Sequence, residues 1–202
     1  MRVKEWLAVI VGILFVSAGL GRLVWDKVAA AIDDRPVARI VEALKIAPGH
    51  KIADVGSGDG AFIFPLAEQT GETGVVYAVD IDAKALRKVE RLSKNRGVGN
   101  VRAVLAAEAA PKIPEPVDLV FISSTLHHIR DRLDYLRTLR RYLKPAGRIA
   151  VIDHIDRWPP FHGRMKYTLD ELDGWMQGAG FSRVEKHDIV PHRFFVIYEV
   201  GQ

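Results

Sequence analysis

Two aspartates and three glycines carry the most legible chemistry in this sequence. In residues 52–62, IADVGSGDGAF, an apolar run holding Asp54 is followed by Gly56, Gly58 and Gly60 at alternate positions. Glycine loses more conformational freedom on folding than any other residue, so this density points to a sharp turn whose bare backbone lets a ligand approach closely. Asp80 lies 22 residues beyond Gly58, where a carboxylate closing the next strand can take both hydroxyls of a ribose. A nucleotide-like ligand is therefore expected. The glycines alone do not say which one, because Gly56-x-Gly58-x-x-Ala61 also fits the dinucleotide fingerprint.

Three further features narrow the choice. Asp54, two residues before the first glycine, suits a ligand with an ammonium group better than one with a pyrophosphate. Glu108 follows the third expected strand, where a polar side chain can reach an adenine edge, and the chain ends in an antiparallel hairpin that dinucleotide folds lack. Together these favour S-adenosylmethionine over NAD. Near the other half of such a site stand His127 and His128, after the fourth expected strand. An imidazole titrating near ~6.5 could deprotonate a hydroxyl or amine, although either ring could equally pack the following helix. Asp153 and His154 end the fifth strand at the rim, where the acid could instead bind backbone amides. His162, in WPPFHGRM, belongs to a substrate lid or a plain turn, and His50, His187 and His192 read as structural.

The elements that must position these residues follow from periodicity. Val37, Ile40, Val41 and Leu44 repeat as one apolar helical face, and Pro36 suits its start. Strands are expected at 51–55, 75–79, 101–105, 117–122 and 148–153, with helices at 61–69, 83–95 and 131–143. Pro65 is awkward inside the first of these helices. Alternation of this kind means an α/β fold, a doubly wound, mostly parallel sheet with helices on both faces. Thr168 and Glu171 then form a capping box before a helix closed by Gly180. The runs 182–190 and 193–200 are too close in sequence for a parallel crossover and should pair antiparallel.

Composition bounds the rest. The 202 residues are half apolar and about a quarter charged, with no cysteine, which removes disulfides and thiolate chemistry. The formal charge of +4 sits largely on Lys84, Arg87, Lys88, Arg91 and Lys94 and on Arg132, Arg137, Arg140, Arg141 and Lys144. These read as solvated helix faces rather than a nucleic-acid surface, and no metal is expected. The N-terminus differs. No charge stands between Glu5 and Arg22, and Trp6 to Val24 at ~1.5 Å per residue approaches the ~30 Å hydrocarbon layer if Arg22 snorkels. Residues 1–25 are accordingly expected to be a membrane anchor and 26–34 a linker. A signal peptide cleaved after Ala18 and a buried helix are the competing readings.

From Arg35 to Val200 the sequence resembles the class I SAM-dependent methyltransferases, and more narrowly a group of small bacterial ones. IADVGSGDG, VYAVDID, VLAAEAAPKIPEPVDLVF, TLHHIRD, YLRTLRRYLKPAGRIAVID and AGFSRVEKHDIVPHRFFVIYE carry the likeness. The resemblance implies a Rossmann-like domain over 35–202 that binds S-adenosyl-L-methionine. It implies Gly56 and Gly58 along the methionine and ribose, Asp80 on the ribose diol, Glu108 beside the adenine, and Ser123 and Ser124 under the transferable methyl; Asp54, Ser57 and Ile81 complete the expected cofactor set. Departures are Gly60, Pro65, and Ala146 where a glycine is usual. SSTL after the fourth strand lacks the Asn/Asp-Pro-Pro-aromatic signature of amino methylation, and no acid stands there for magnesium.

The expected activity is methyl transfer to a small or lipid-like acceptor, with His127 or His128 as base. Because S-adenosylmethionine is kept in the cytoplasm, the expected placement is an uncleaved anchor with the catalytic domain on the cytoplasmic side. A catalytically silent SAM-binding protein and an NAD-dependent oxidoreductase are the alternatives.

Overall fold

The computed structural model describes residues 37–155 and 165–201. The apolar stretch Trp6–Val24, the linker 26–34 and His162 lie outside the described residues. Among those described, no helix is long and apolar enough to cross a membrane.

Residues 37–43 (α1) are helical, and Ile40, Val41 and Leu44 are buried as their spacing requires. From Ile40 onward the chain forms one compact unit. It alternates β1 (Lys51–Val55), α2 (Ile63–Thr70), β2 (Val75–Asp80), α3 (Ala83–Arg96), β3 (Val101–Leu105), β4 (Val117–Ser123), α4 (Arg132–Arg140) and β5 (Leu143–His154), then adds α5 (Leu169–Gly178), β6 (Phe181–His187) and β7 (Arg193–Val200). The seven strands order as β3-β2-β1-β4-β5-β7-β6. The first five run parallel, whereas β7 pairs antiparallel with both β5 and β6. β1 and β4 are central and almost wholly buried, which is why they read as continuous apolar runs rather than alternating ones. The strand order reverses between them, the place in an open parallel sheet where a crevice opens beyond the strands' carboxyl ends.

Helix ends follow local chemistry. Asp82 caps α3 by accepting from the Lys84 N–H at 2.7 Å, and Gly97 closes it in the left-handed conformation. Thr168 and Glu171 form the expected reciprocal capping box on α5. The first charge-rich face, on α3, is largely solvated as expected, and its half-buried Lys88 pairs with Asp59 at 2.6 Å.

The start of α2, the junction of α4 with β5 and the last hairpin depart from the sequence expectation. α2 starts at Ile63, not Ala61, because Gly58 and Gly60 take φ of 49° and 86° and hold the chain in turns through Phe62. Pro65 thereby falls in the first helical turn, where its missing N–H has no partner to lose. α4 stops at Arg140, so Tyr142 and Leu143 are not helical, and β5 begins at Leu143. Its register against β4 jumps between the pairs Val117↔Leu143 and Leu119↔Arg148. Lys144 to Gly147 therefore bulge out opposite Asp118, which holds Lys144 Nζ at 2.7 Å. The last hairpin is shorter than read, with β6 ending at His187.

Candidate functional site

The loop after β1 is stitched to the end of β2. Gly56 and Ser57 donate their N–H groups to the Val79 carbonyl at 2.8 and 3.2 Å, and Gly58 donates to Asp80 Oδ2 at 2.8 Å. Asp80 Oδ1 accepts from the Asp82 N–H at 2.8 Å. Two backbone donors thus orient the Asp80 carboxylate and leave lone pairs on both oxygens. Gly56 has φ +76°, and a Cβ there would stand 2.2 Å from the Thr125 side chain, whereas a Cβ on Gly58 meets nothing within 4 Å. The two glycines therefore serve different ends. Gly56 admits Thr125, whose hydroxyl donates to the Gly56 carbonyl at 3.3 Å and ties the β1 and β4 loops together. Gly58 leaves its backbone open to the crevice.

This difference has a measurable consequence. Gly56→Ala combines left-handed strain with overpacking and is expected to destabilise the fold by about 2–5 kcal/mol. Gly58→Ala should cost only about 1–2 kcal/mol, the strain alone. Urea melts of the two variants check the ranking.

Asp54 sits at the centre of this edge. It is 2 % exposed, and its carboxyl makes no hydrogen bond or ion pair among the described residues. Burial, reinforced by the neighbouring Asp80 carboxylate, pushes its carboxyl up to about 7. Ser57 is also buried, and its Oγ has no hydrogen-bond partner among the described residues. Polar groups buried this way are costly unless a ligand completes them. Beyond Asp80, Ile81 follows β2 and Leu105 ends the neighbouring β3; they are 60 % and 54 % exposed, an apolar pair at the same rim. Leu105 was not singled out in the sequence, since one leucine in an apolar strand carries no signal of exposure. Glu108 is exposed at the tip of a tight turn closed by reciprocal Ala107–Ala110 hydrogen bonds, and Ala106 donates to the Asp80 carbonyl at 2.9 Å.

On the other side of β1 lie the ends of β4 and β5. Ser123 and Ser124 are half-buried, and Ser124 adopts φ +52°, which turns the chain out of β4 into a 3-10 turn, Leu126–His128. His127 is buried and His128 exposed, so the two expected bases occupy different environments. His127 Nδ1 lies 2.8 Å from Asp153 Oδ1, and the His127 N–H donates to Asp153 Oδ2 at 3.3 Å. The His154 N–H and the Tyr167 hydroxyl complete the donors to Asp153, at 2.9 and 2.8 Å.

Burial alone would raise the Asp153 carboxyl. The hydrogen bonds from His127, His154 and Tyr167 and the His127 charge outweigh it and hold the group below the usual carboxylate range. Burial and the Asp153 carboxylate push the Tyr167 phenol up, so it stays a donor. Asp153 does bind backbone amides, as one sequence reading had it, and it grips the imidazole as well. The His127 ring lies 4.1 Å from that of His128 and 5.7 Å from that of His154, centroid to centroid. Arg132 braces the cluster by donating to the carbonyls of Leu126, His127 and Met165. Among the described residues, no group of acids and histidines could hold a metal ion.

A parallel sheet reversing at β1 and β4, a glycine loop after β1 and an oriented acid closing β2 define a nucleotide-binding α/β domain. A family model described as a methyltransferase domain matches residues 46–187. The chain belongs to this family, and its fold is that of the class I S-adenosyl-L-methionine-dependent methyltransferase domains. It is 31 % identical over 115 residues to the ubiquinone/menaquinone biosynthesis C-methyltransferase UbiE of Cupriavidus taiwanensis, covering 57 % of this chain and 47 % of that one. Against the Pasteurella multocida protein of the same description identity is 36 %, covering 56 % and 43 %. The chain thus spans about half the length of the curated relatives it matches. A SAM-dependent methyltransferase structure from Aquifex aeolicus superposes with a TM-score of 0.73 at 26 % identity, covering 81 % of this chain and 89 % of that one. The fold is shared too by the 1,6-didemethyltoxoflavin-N1-methyltransferase of Burkholderia thailandensis, solved with S-adenosylhomocysteine, at a TM-score of 0.67 and 22 % identity, covering 100 % and 92 %.

Proposed function

We propose that the crevice beyond β1 and β4 holds S-adenosylmethionine on the β2 side and a small or lipid-like acceptor on the β5 side. The observation that carries this reading is Asp54, a buried carboxyl at the centre of the edge that has no partner among the described residues. A group of this kind fits an ammonium-bearing ligand and has no use for a pyrophosphate. In this reading Asp54 pairs with the ammonium, Ser57 Oγ and the open Gly58 backbone line the same end, and Asp80 takes the ribose diol. Ile81 and Leu105 flank the adenine, with Glu108 at its edge, and Ser123 and Ser124 face the reacting side. When bound, S-adenosylmethionine supplies an electrophilic methyl group on a sulfonium.

The protein's own task is alignment, together with removal of an acceptor proton where the nucleophile needs it. His127 is proposed as that base. Its Nδ1–H donates to Asp153, which selects the tautomer whose Nε2 accepts a proton, and Tyr167 and Arg132 fix the pair from behind. His128, exposed beside it, is a second contact to the acceptor.

The likeness to UbiE enzymes supports an acceptor with a quinone-type ring, and the apolar Trp6–Val24 stretch supports one that partitions into membranes. We place the catalytic domain on the cytoplasmic side of an uncleaved anchor, where S-adenosylmethionine is available. The test is transfer of a deuterated methyl from labelled S-adenosylmethionine into a bacterial lipid extract by the full chain, read by mass spectrometry. A labelled prenylated ring compound is the expected product; label appearing only in water-soluble or protein fractions overturns the acceptor assignment.

A further inference from the structure

We propose that the acceptor bears an anionic oxygen, a carboxylate, phosphate or ionised phenol, and that Arg193 is the residue that selects it. This rests on the reading of the crevice above and adds the acceptor's charge. β7 runs antiparallel to β5, so its first residue lies beside the carboxyl end of β5, with Arg193 opposite His154 and Phe194 opposite Asp153. Arg193 therefore stands at the reacting edge although it belongs to the last strand. Its Nη1 donates to Ser124 Oγ at 2.7 Å, reaching across the end of β5 to the tip of β4.

That contact is specific in two ways. Ser124 is one of few non-glycine residues here with a left-handed backbone, at φ +52°, and its N–H is held by the Ile152 carbonyl at 2.8 Å. Glycine would fit this backbone without strain, so the hydroxyl is retained at a conformational cost. What it does is hold the guanidinium.

No described residue neutralises the charge on Arg193 in return. The residue is half-buried and makes no ion pair with any carboxylate among the described residues. The nearby acid, Asp153, is already occupied by donors from His127, His154 and Tyr167. A guanidinium presents five N–H donors in a planar fork, and among the described residues only Nη1 is engaged by a protein acceptor. A fork partly withdrawn from water, pinned at one end and unopposed by an acid, is built to receive a second acceptor group, and anionic oxygens satisfy it best.

The test uses the full chain saturated with S-adenosylhomocysteine and three probes of similar size: benzoate, phenyl phosphate and neutral benzyl alcohol, titrated by ligand-observed NMR. The anions should bind at least tenfold more tightly than benzyl alcohol. Arg193→Gln should lower anion affinity about ten- to hundredfold, the loss of a charge-assisted hydrogen bond, with Arg193→Lys recovering part of it. Ser124→Gly should keep or raise the melting temperature yet weaken anion binding severalfold, which separates loss of guanidinium positioning from loss of folding. S-adenosylhomocysteine affinity should stay within about twofold in the two Arg193 variants. Equal binding of all three probes, no binding of any, or anion affinity indifferent to Arg193→Gln overturns the proposal. Failure of the unmodified chain to bind S-adenosylhomocysteine would instead overturn the cofactor reading beneath it.

Discussion

Asp54→Asn is expected to raise the melting temperature of the ligand-free protein at pH 8 while weakening its binding of S-adenosylmethionine, two effects of opposite sign from one atom. The Asp54 carboxyl is raised from 3.8 to about 7 in the folded protein, first by burial and then by Asp80. The folded state therefore binds a proton that the unfolded chain has already released, and stability falls as pH rises from about 4 to about 7. At about 1.4 kcal/mol per unit, the shift amounts to roughly 4 kcal/mol above pH 7. An uncharged amide escapes this cost. The stabilisation by Asn should thus be full at pH 8, shrink on acidification and vanish near pH 4, as checked by urea melts across that range.

Binding moves the other way. A ligand ammonium pairs with the ionised carboxyl, so the dissociation constant of the unmodified protein should rise about tenfold per unit as pH falls below 7. In Asp54→Asn the pH dependence should flatten and affinity drop by on the order of 3 kcal/mol, the cost of breaking a buried pair. Calorimetry at pH 6 and 8 with both proteins measures this. Unchanged affinity in the variant would remove Asp54 from the ligand site.

For Asp153→Asn the expected outcome is reversed: a loss of about 3–5 kcal/mol of stability at neutral pH, because buried donors from His127, His154 and Tyr167 lose a charged acceptor. This carboxyl is held below its ordinary value, so its contribution is fully present above about pH 4 and is lost as pH falls through the folded-state value. The gap between variant and unmodified protein should close in acid. Turnover should fall about 10²-fold at neutral pH while S-adenosylmethionine affinity is kept, since an amide no longer enforces one tautomer of His127. A melting-temperature loss with kcat and its pH profile intact would leave Asp153 and His127 as a structural clasp. Two buried aspartates on β1 and β5, the strands that flank β4, thus make opposite predictions, and the difference is whether the protein itself provides their partners.

Little of that contrast is visible in the sequence. Asp54 and Asp153 each stand one residue before the end of an apolar strand, and nothing within a few residues of either announces a partner or the lack of one. The glycine turn, the Asp80 spacing, the Thr168–Glu171 capping box and the strand–helix alternation were legible because each depends on residues close in sequence or on a period of a few positions. The antiparallel hairpin was legible for the same reason, since too little chain separates its strands for any other pairing. The late start of α2 could have been read from Gly58 and Gly60, but apolar periodicity through Ala61 and Phe62 masked it. The β5 bulge could not, because its register is set by Asp118 on another strand.

What the sequence by itself determined, then, was the class of fold, the nucleotide-like ligand and the glycine turn after β1, all products of short-range conformational preference and spacing. The tertiary structure decided which polar groups are satisfied. It brings Asp153 to His127 across 26 residues and Tyr167 to Asp153 across 14. Thr125 is brought against Gly56 and Arg193 against Ser124, each across 69 residues. These meetings depend on the order in which strands assemble side by side, so they exist only once the sheet has closed over its core, and it is there that an unpartnered carboxyl differs from a neutralised one.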